Sequence, residues 1–256
     1  MHTVSVTVLG SGSCGNSILV SSEDTVMIDA GLSCKELERR MSIVGADPSR
    51  VDAVFLTHEH TDHTRGALRF CSKYDVPVHG TDGTLSLTPL NGVRAVPIST
   101  KHAVTIGSVT AKPFPVRHFA AEPVAFTIEV HGKKVSIASD LGSVTPRVVD
   151  EMGSADLMLI EANYDDDMLM NGSYPDFLKR TIRSDHGHLS NKDAGMLASK
   201  TASEKTKRVV LLHLSKENNT PGKAREAVEK GLRHGDHRPE IEVTEHGGMN
   251  GPFALR

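Results

Sequence analysis

The sequence predicts an α/β fold, in the mixed α+β sense, built as a four-layer αββα sandwich of two mixed sheets flanked by helices. Two observations predict it. Apolar segments with strand character follow one another from residue 93 to residue 137, with short turn signals between them, and strands alternate with helices beyond residue 156. Since the chain has 256 residues, 38% of them hydrophobic, and no linker divides it, we expect a single domain over 1–256.

The first thirty residues predict a meander of strands at 4–9, 18–20 and 26–29. The Gly- and Ser-rich loop 10–17 lacks the Lys of a phosphate-binding loop and leads into a strand, which argues against a nucleotide fingerprint. It is either a plain turn or a loop that approaches a ligand closely, with Asn16 as its polar contact. A helix is expected at 33–44, capped by Ser33 with Glu36 at the capping-box position and ended by Gly45.

Segment 57–63, Thr-His-Glu-His-Thr-Asp-His, is the densest cluster of potential ligands. It follows the apolar run 51–56, which is typical of a buried strand, and precedes a helix predicted at 61–74. His58 and His60 are two positions apart, so an extended backbone would direct both rings to the same side, while Asp62 and His63 would start the helix. Imidazoles and a carboxylate at this density indicate a metal site, rather than a solvated turn.

The remaining strands are predicted at 76–79, 94–98, 104–106, 109–116, 124–130, 133–138, 156–161, 209–212 and 241–243, and helices at 175–183, 191–202 and 221–233. Residues 81–87 are ambiguous, and strand 241–243 is expected to be the last. Three polar residues follow strands: His118, Asp140 and His213. Alone, each is typical of a surface histidine or an Asx turn. Because their placement repeats that of segment 57–63, we expect five imidazoles and two carboxylates to form two metal sites, with one carboxylate bridging.

Composition limits the function classes. The formal net charge of −3 excludes a general basic field, so any polyanion must be bound locally. Three cysteines without paired spacing indicate free thiols in a reducing compartment, and neither an export leader nor an apolar run of membrane-spanning length is visible. We therefore expect a cytoplasmic protein without a membrane partner. The histidines outside the cluster are expected to lie mostly at the surface.

The motif His-x-His-x-Asp-His, present as His58 to His63, resembles the ligand motif of the metallo-beta-lactamase fold superfamily. That resemblance implies the metallo-beta-lactamase fold and two divalent metal ions per chain, Zn²⁺ or Mn²⁺. It assigns the first ion to His58, His60 and His118, the second to Asp62, His63 and His213, and the bridge to Asp140.

Segments 10–17, 161–165, 183–191 and 211–221 are similar to the YycJ/WalJ group of 5′ to 3′ DNA exonucleases in that superfamily, so the resemblance covers nearly the whole chain. Two positions depart from the group. Phe119 stands where the group usually has Asp, and Tyr164 where it usually has His. Neither is a primary ligand, but both changes remove polar groups that could orient ligands or meet the substrate.

The expected chemistry uses a hydroxide shared between two divalent ions, oriented by Asp62, with His188 as general acid or phosphate contact. Asn16, Asn163 and Lys216 are expected to bind substrate. The first hypothesis is a binuclear metal-dependent phosphodiesterase, most consistent with a 5′ to 3′ exodeoxyribonuclease-like nuclease whose partner is nucleic acid, DNA favoured over RNA. The alternatives are a hydrolase of a small phosphodiester or thioester and a non-catalytic metal-binding protein. The complete ligand set argues against the last.

Overall fold

The structure, a computed structural model, describes residues 3–256. Strands in this range, in chain order, are β1 (Val4–Gly10), β2 (Ser17–Ser21), β3 (Thr25–Ile28), β4 (Ala53–Phe55), β5 (Val78–Gly80), β6 (Ala95–Pro97), β7 (Val104–Ile106), β8 (Val109–Pro115), β9 (Val124–Val130), β10 (Lys133–Ala138), β11 (Leu157–Glu161), β12 (Arg208–Leu212), β13 (Glu240–Val243) and β14 (Asn250–Leu255). Helices are α1 (Cys34–Ile43), α2 (Thr61–Thr64), α3 (Ala67–Tyr74), α4 (Asp82–Leu87), α5 (Pro146–Met152), α6 (Asp166–Asn171), α7 (Asp176–Ile182), α8 (Asn191–Thr201) and α9 (Pro221–Leu232). A 3₁₀ turn lies at Pro48–Arg50.

The strands form two seven-stranded sheets. The first sheet has the order β14-β1-β2-β3-β4-β5-β6 and the second β13-β12-β11-β10-β9-β8-β7. Each sheet is mixed, because β3 to β6 and β10 to β13 run parallel whereas their other neighbours are antiparallel. The predicted mixed sheets are therefore confirmed.

Successive side chains of a strand point to opposite faces of its sheet, and this alternation divides them between different hydrophobic cores. In β11, Leu157 and Leu159 face the first sheet in a shared core, whereas Met158 and Ile160 pack in a second core with residues of α8 and α9. The side chains of β4 alternate in the same way. Phe55 packs in the core between the sheets, whereas its neighbours Val54 and Leu56 pack in a third core with α1 and α3. The resulting order of helices, sheet, sheet, helices confirms the four-layer sandwich.

The strand directions bring the predicted ligands to one edge of the sandwich. Strands β3, β4 and β1 run the same way in the first sheet, and β8, β10, β11 and β12 do so in the second. The carboxyl ends of these strands therefore lie together. A hydrogen bond of 2.7 Å from the His213 amide to Ser11 Oγ joins this edge across the two sheets.

Two sequence expectations about elements are wrong. The helix expected at 61–74 is two helices, because the Gly66 amide donates its hydrogen bond to Ala30 O and not to a carbonyl of the preceding turn. The backbone at Gly66 lies so close to Leu32 O that a Cβ there would be 2.1 Å from it. Strand 241–243 is not the last, since β14 follows it and pairs antiparallel with β1 at the edge of the first sheet. Edge placement is what lets β14 contain Pro252, a residue that argues against a strand in the sequence.

Helices α5 and α6 are also absent from the sequence expectation, although each begins with a capping residue. Thr145 accepts a hydrogen bond from the Val148 amide and precedes Pro146, and Asp165 accepts one from the Met168 amide. Both helices are short, so their periodicity is too weak to detect.

None of the three cysteines, all within the described range, forms a disulfide. No helix of residues 3–256 has both the length and the apolar character needed to span a bilayer. That residues 1–256 form a single domain stays a prediction, and so does the cytoplasmic location of the protein.

Candidate metal centre

Segment 57–63 leaves β4 through bends at Thr57 and Glu59 and turns into α2 at Thr61. The rings of His58 and His60 lie 4.5 Å apart between centroids, so the two rings are close neighbours although the segment is bent. A hydrogen bond of 2.9 Å from the Val124 amide to Thr57 O ties the segment to the second sheet. The two sheets therefore fix this segment from both sides.

The structure brings the residues of the first predicted triad together: one ligand atom from each of His58, His60 and His118 lies within 4.8 Å of the others. Each ring uses one nitrogen outside the cluster, and the partners are Thr57 Oγ1 for His58 Nδ1 at 3.0 Å, Phe119 O for His60 Nε2 at 3.0 Å and Gly187 O for His118 Nδ1 at 2.9 Å. The other nitrogen of each ring is left for the cluster. In particular, His58 Nε2 is buried without a hydrogen-bond partner.

The second predicted triad, Asp62, His63 and His213, is equally compact, with ligand atoms within 4.8 Å. The Nε2 atoms of His63 and His213 each lie 3.6 Å from Asp62 Oδ2. His213 Nε2 is a further buried nitrogen without a hydrogen-bond partner. Asp62 keeps a side-chain exposure of 22%, so this triad reaches solvent through its carboxylate.

Asp140 lies between the two triads. Its Oδ2 is 2.8 Å from His63 Nε2, and its Oδ1 is 3.7 Å from His118 Nε2. The side chain is buried, and the backbone has a φ of 51°, in the left-handed region that a non-glycine residue rarely adopts. The structure thus places Asp140 where the predicted bridge is required, at the cost of backbone strain.

Electrostatics fit a cation at this position. Burial opposes ionisation of Asp140, yet the neighbouring His213 and His63 hold its pKa well below the usual range. Burial likewise opposes protonation of His63, but Asp29 and Asp140 raise its pKa to about 10. His58, by contrast, is kept neutral, since burial and His63 hold its pKa well below the usual value. Carboxylates that attract protons onto buried imidazoles would equally attract a divalent cation, which binds the deprotonated rings.

Two buried carboxylates that sequence reasoning did not assign orient these rings. Asp29 Oδ2 accepts a hydrogen bond from His63 Nδ1 at 2.7 Å, and Asp29 Oδ1 accepts one from the Thr57 amide at 2.8 Å. Glu161 Oε1 lies 3.2 Å from His213 Nδ1 and 2.7 Å from His188 Nδ1. Both carboxylates occupy strand ends, the signal that selected Asp140, so applying the same rule to β3 and β11 would have found them.

Asn16 and Asn163, expected at the substrate, instead contact the predicted ligands. Asn16 Nδ2 lies 2.9 Å from His63 Nε2 and 3.2 Å from Asp62 Oδ2, and its Oδ1 accepts the Gly12 amide. Asn163 Nδ2 donates to His213 O at 2.8 Å. Both side chains are buried, so these contacts indicate positioning of the ligands, and a substrate contact stays a prediction for each.

A cleft of about 260 Å³ opens over the centre. Its lining includes His188, which has 23% of its side chain exposed, together with Ser13, His60, Asp62, His118, Phe119, Asp140, Leu178, Thr181, Ile182, Gly187 and His213. Burial opposes protonation of His188, but the charge of Glu161 and the hydrogen bond to it raise its pKa. Lys216 is exposed and does not line the cleft, so its predicted substrate contact stays a prediction.

The two departures from the YycJ/WalJ pattern lie in different environments. Phe119 lines the cleft with 54% of its surface exposed, whereas Tyr164 is buried and burial raises its pKa to about 12. Among the other histidines, His79 contradicts the surface expectation, because it is buried and stacks on Phe55 at 4.8 Å between ring centroids. His2 lies outside the described residues.

Comparisons with known proteins agree with this geometry. A family model for the beta-lactamase superfamily domain matches residues 24–214. The chain is 33% identical over 232 residues to the exodeoxyribonuclease YycJ of Bacillus anthracis, covering 88% of each protein. It is 36% identical over 220 residues to the exodeoxyribonuclease WalJ of Streptococcus pneumoniae, covering 83% of this chain and 82% of that protein.

Among solved structures, the metallo-beta-lactamase fold protein YhfI from Bacillus subtilis matches with a TM-score of 0.76 over the full length of both chains at 20% identity, a similarity of fold alone. The resemblance found in the sequence is therefore confirmed, and with it the expectation of divalent metal ions and hydrolysis. The chain belongs to the metallo-beta-lactamase fold superfamily of metal-dependent hydrolases, with its matched relatives among the YycJ/WalJ exodeoxyribonucleases.

Proposed function

We propose that this hydrolase is a binuclear phosphodiesterase that acts on nucleic acid, with DNA favoured over RNA and attack from a 5′ end. The observation that carries the proposal is the pair of compact triads, one on each side of Asp140, beneath an open cleft. Relatives named as exodeoxyribonucleases, at 33% and 36% identity over most of the chain, support the nucleic acid substrate.

His58, His60 and His118 would hold one metal ion, Asp62, His63 and His213 the other, and Asp140 would contact both. The buried, unpartnered Nε2 atoms of His58 and His213 support this assignment, because a buried imidazole nitrogen without a partner is costly unless a cation fills the site. Two divalent ions, Zn²⁺ or Mn²⁺, would stabilise the charge that develops on a phosphoryl group and acidify a bound water.

Asp62 is the proposed acceptor that orients the attacking water. It is the partly exposed member of its triad, and Asn16 holds its carboxylate at 3.2 Å. Burial opposes its ionisation, but the imidazoles of His213 and His63 lower its pKa, so the carboxylate keeps its accepting lone pairs. A fixed, ionised acceptor at the mouth of the cleft is suited to this task.

His188 is the proposed general acid. Its Nδ1 is engaged by Glu161 Oε1 at 2.7 Å, which leaves Nε2 as the nitrogen that can donate to a leaving oxygen in the cleft. Glu161 is itself fixed, since its Oε2 accepts hydrogen bonds from the Leu141 amide at 2.7 Å and the Leu189 amide at 3.1 Å. This chain of contacts would hold the ring and its proton in one orientation.

A small phosphodiester is the second candidate substrate. Two observations favour it: the net charge of −3 provides no general attraction for a long polyanion, and the cleft of about 260 Å³ is below the usual range for ligand pockets, roughly 300–1,000 Å³.

End-labelled single-stranded DNA, duplex DNA and RNA, incubated with zinc- or manganese-loaded protein, test the proposal. We expect DNA to be shortened progressively from the 5′ end and RNA more slowly. If no polymer is shortened while a cyclic dinucleotide is consumed, the substrate is a small phosphodiester. Hydrolysis of bis(p-nitrophenyl) phosphate that survives in Asp62→Ala and in chelated protein would contradict the metal-dependent mechanism.

A further inference from the structure

Phe119 is an exposed aromatic ring on a loop that is held rigidly. Five other phenylalanines, Phe55, Phe70, Phe114, Phe126 and Phe253, are buried, whereas Phe119 exposes 54% of its surface beside the cleft. The neighbouring His186 ring, 5.7 Å away between centroids, covers only part of it, and an apolar ring in solvent is unfavourable. Its position one residue after His118 therefore requires a reason.

The exposure of Phe119 is not explained by a loose loop, because hydrogen bonds hold residues 119–122 in place. Phe119 O accepts a hydrogen bond from His60 Nε2 at 3.0 Å, and the Ala121 amide donates to Glu59 Oε1 at 2.8 Å. One position further, Glu122 O accepts Thr81 Oγ1 at 2.8 Å. The ring is thus attached to the ligand-bearing segment 57–63, and any group that packs on it is positioned relative to the metal centre.

Two aliphatic side chains of one helix also line the cleft. Helix α7 has no buried residue, yet it directs Leu178 and Ile182, four positions apart on one face, towards the cleft. The His188 amide bonds to Ile182 O at 2.9 Å, so the end of this helix is tied to the proposed general acid. We call Phe119, Leu178 and Ile182 the apolar rim. The apolar rim lines the same cleft as Asp62 and His188, the groups proposed to cleave phosphate.

On the basis of the proposed function, we propose that Phe119 is the stacking platform for one unstacked nucleobase of the nucleotide being cleaved, with Leu178 and Ile182 as further apolar lining of the same cleft. A nucleobase fits because it is planar, has apolar faces and is linked to the phosphate by a short sugar spacer. The cleft of about 260 Å³ admits a single such unit, not a stacked duplex. Since every base has a face to stack, the rim selects single-stranded or frayed ends without reading sequence.

Fluorescence of 2-aminopurine at the 5′ end of a single-stranded oligonucleotide with cleavage-resistant phosphorothioate linkages tests this inference in metal-loaded protein. Stacking on Phe119 should quench the fluorophore. Phe119→Ala should remove the quenching and weaken binding about 10-fold, within the range for one base–aromatic contact, and Phe119→Trp should retain both. Phe177→Ala is the matched control, because Phe177 is 64% exposed on α7 but does not line the cleft.

A kinetic comparison separates stacking from a general structural role. Phe119→Ala should raise KM about 10-fold for thymidine 3′-p-nitrophenyl phosphate, whose base is joined to the phosphate as in a 5′-terminal nucleotide, with kcat retained, while leaving methyl p-nitrophenyl phosphate, which lacks a base, unaffected. Equal losses on both esters, or quenching that persists in Phe119→Ala, would overturn the inference. If wild-type protein neither binds nor shortens oligonucleotides, the proposed function fails and the inference with it; if it shortens them and Phe119→Ala behaves identically, only the inference fails.

Discussion

The predicted ligands on the first sheet come from one short segment, whereas those on the second sheet come singly from separate strand ends. His58, His60, Asp62 and His63 follow β4 within six positions. His118, Asp140 and His213 follow β8, β10 and β12, with 22 positions between the first two and 73 between the last two. One half of the centre is therefore local in sequence, and the other exists only once the second sheet has formed.

Both halves use the same device to orient their imidazoles. Asp29 at the end of β3 holds His63, and Glu161 at the end of β11 holds His213 and His188. The difference is in what each carboxylate controls. Asp29 contacts one predicted ligand and its supporting segment, whereas Glu161 joins a predicted ligand to the proposed general acid. In the proposed mechanism the second half would combine metal binding with proton transfer, and variants can separate the two.

The largest effect is expected where the halves meet. Asp140→Ala should lower hydrolysis of bis(p-nitrophenyl) phosphate by on the order of 10³-fold, because several kcal/mol of transition-state stabilisation depend on metal ions that share this ligand. Elemental analysis should show less than two metal ions per chain. Asp185→Ala, which removes a carboxylate with 74% side-chain exposure, is the control and should leave both readouts unchanged. Full metal content with normal turnover in Asp140→Ala would show that the halves are independent.

His188→Gln should affect the second half without affecting metal content. We expect oligonucleotide cleavage to fall about 10²- to 10⁴-fold, since a poor leaving oxygen needs a proton, and bis(p-nitrophenyl) phosphate hydrolysis to change little, since p-nitrophenolate leaves without one. The exposed His102, changed to Gln, provides the control. A similar loss on both substrates would argue for a role in positioning instead of proton donation.

The two carboxylates test the comparison directly. Asp29→Asn and Glu161→Gln should each lower metal affinity or activity about 10- to 100-fold, the usual range for groups that orient ligands. Only Glu161→Gln should also produce the leaving-group dependence of His188→Gln, because only Glu161 contacts His188. Metal affinity from competition titrations and kcat on both substrates measure this difference. If Asp29→Asn shows the same leaving-group dependence, the division between the halves is wrong.

A backbone change tests how closely the first half is packed. A Cβ at Gly31 would lie 1.7 Å from Asp62 O, so Gly31→Ala should displace Asp62 and lower the free energy of unfolding by about 3 kcal/mol. Gly222, at which a Cβ would meet no heavy atom within 4 Å, is the matched control, and Gly222→Ala should change stability by less than about 1 kcal/mol. Denaturant unfolding measures both. Equal stabilities would show that the loop beside Asp62 can move without cost.

The smallest effect is expected on α1, which carries no site residue. Hydrogen bonds from Arg39, with further support from Arg40, lower the pKa of Glu36 to about 2, below the ordinary value of 4.5. The contribution of this carboxylate is therefore present above pH 4.5 and lost as the pH falls towards 2. Glu36→Gln should cost at most about 1 kcal/mol at pH 7, and the difference from wild type should shrink below pH 4.5. Turnover should not change; a loss of activity would connect α1 to the site.

Much of the first half could be predicted from sequence because its geometry is local. The two-residue spacing of His58 and His60 predicts that both rings lie on the same side of the segment. The adjoining strand and helix follow from apolar periodicity. Strand ends elsewhere in the chain suggested His118, Asp140 and His213, and parallel strands explain why such residues meet. The sequence alone thus determined the fold family and which side chains gather at the site.

Only the tertiary structure decided what surrounds those side chains. Glu161 and His213 are 52 positions apart, and their contact depends on the register of β11 with β12, which packing of the whole core sets. The same packing buries Asn16 against Asp62 and leaves Phe119 exposed in the cleft. A sequence pattern reports the period of one segment, whereas a side chain's partners and exposure follow from how separate segments pack, and this is why the imidazole partners of the orienting carboxylates and the exposure of the apolar rim became visible only in three dimensions.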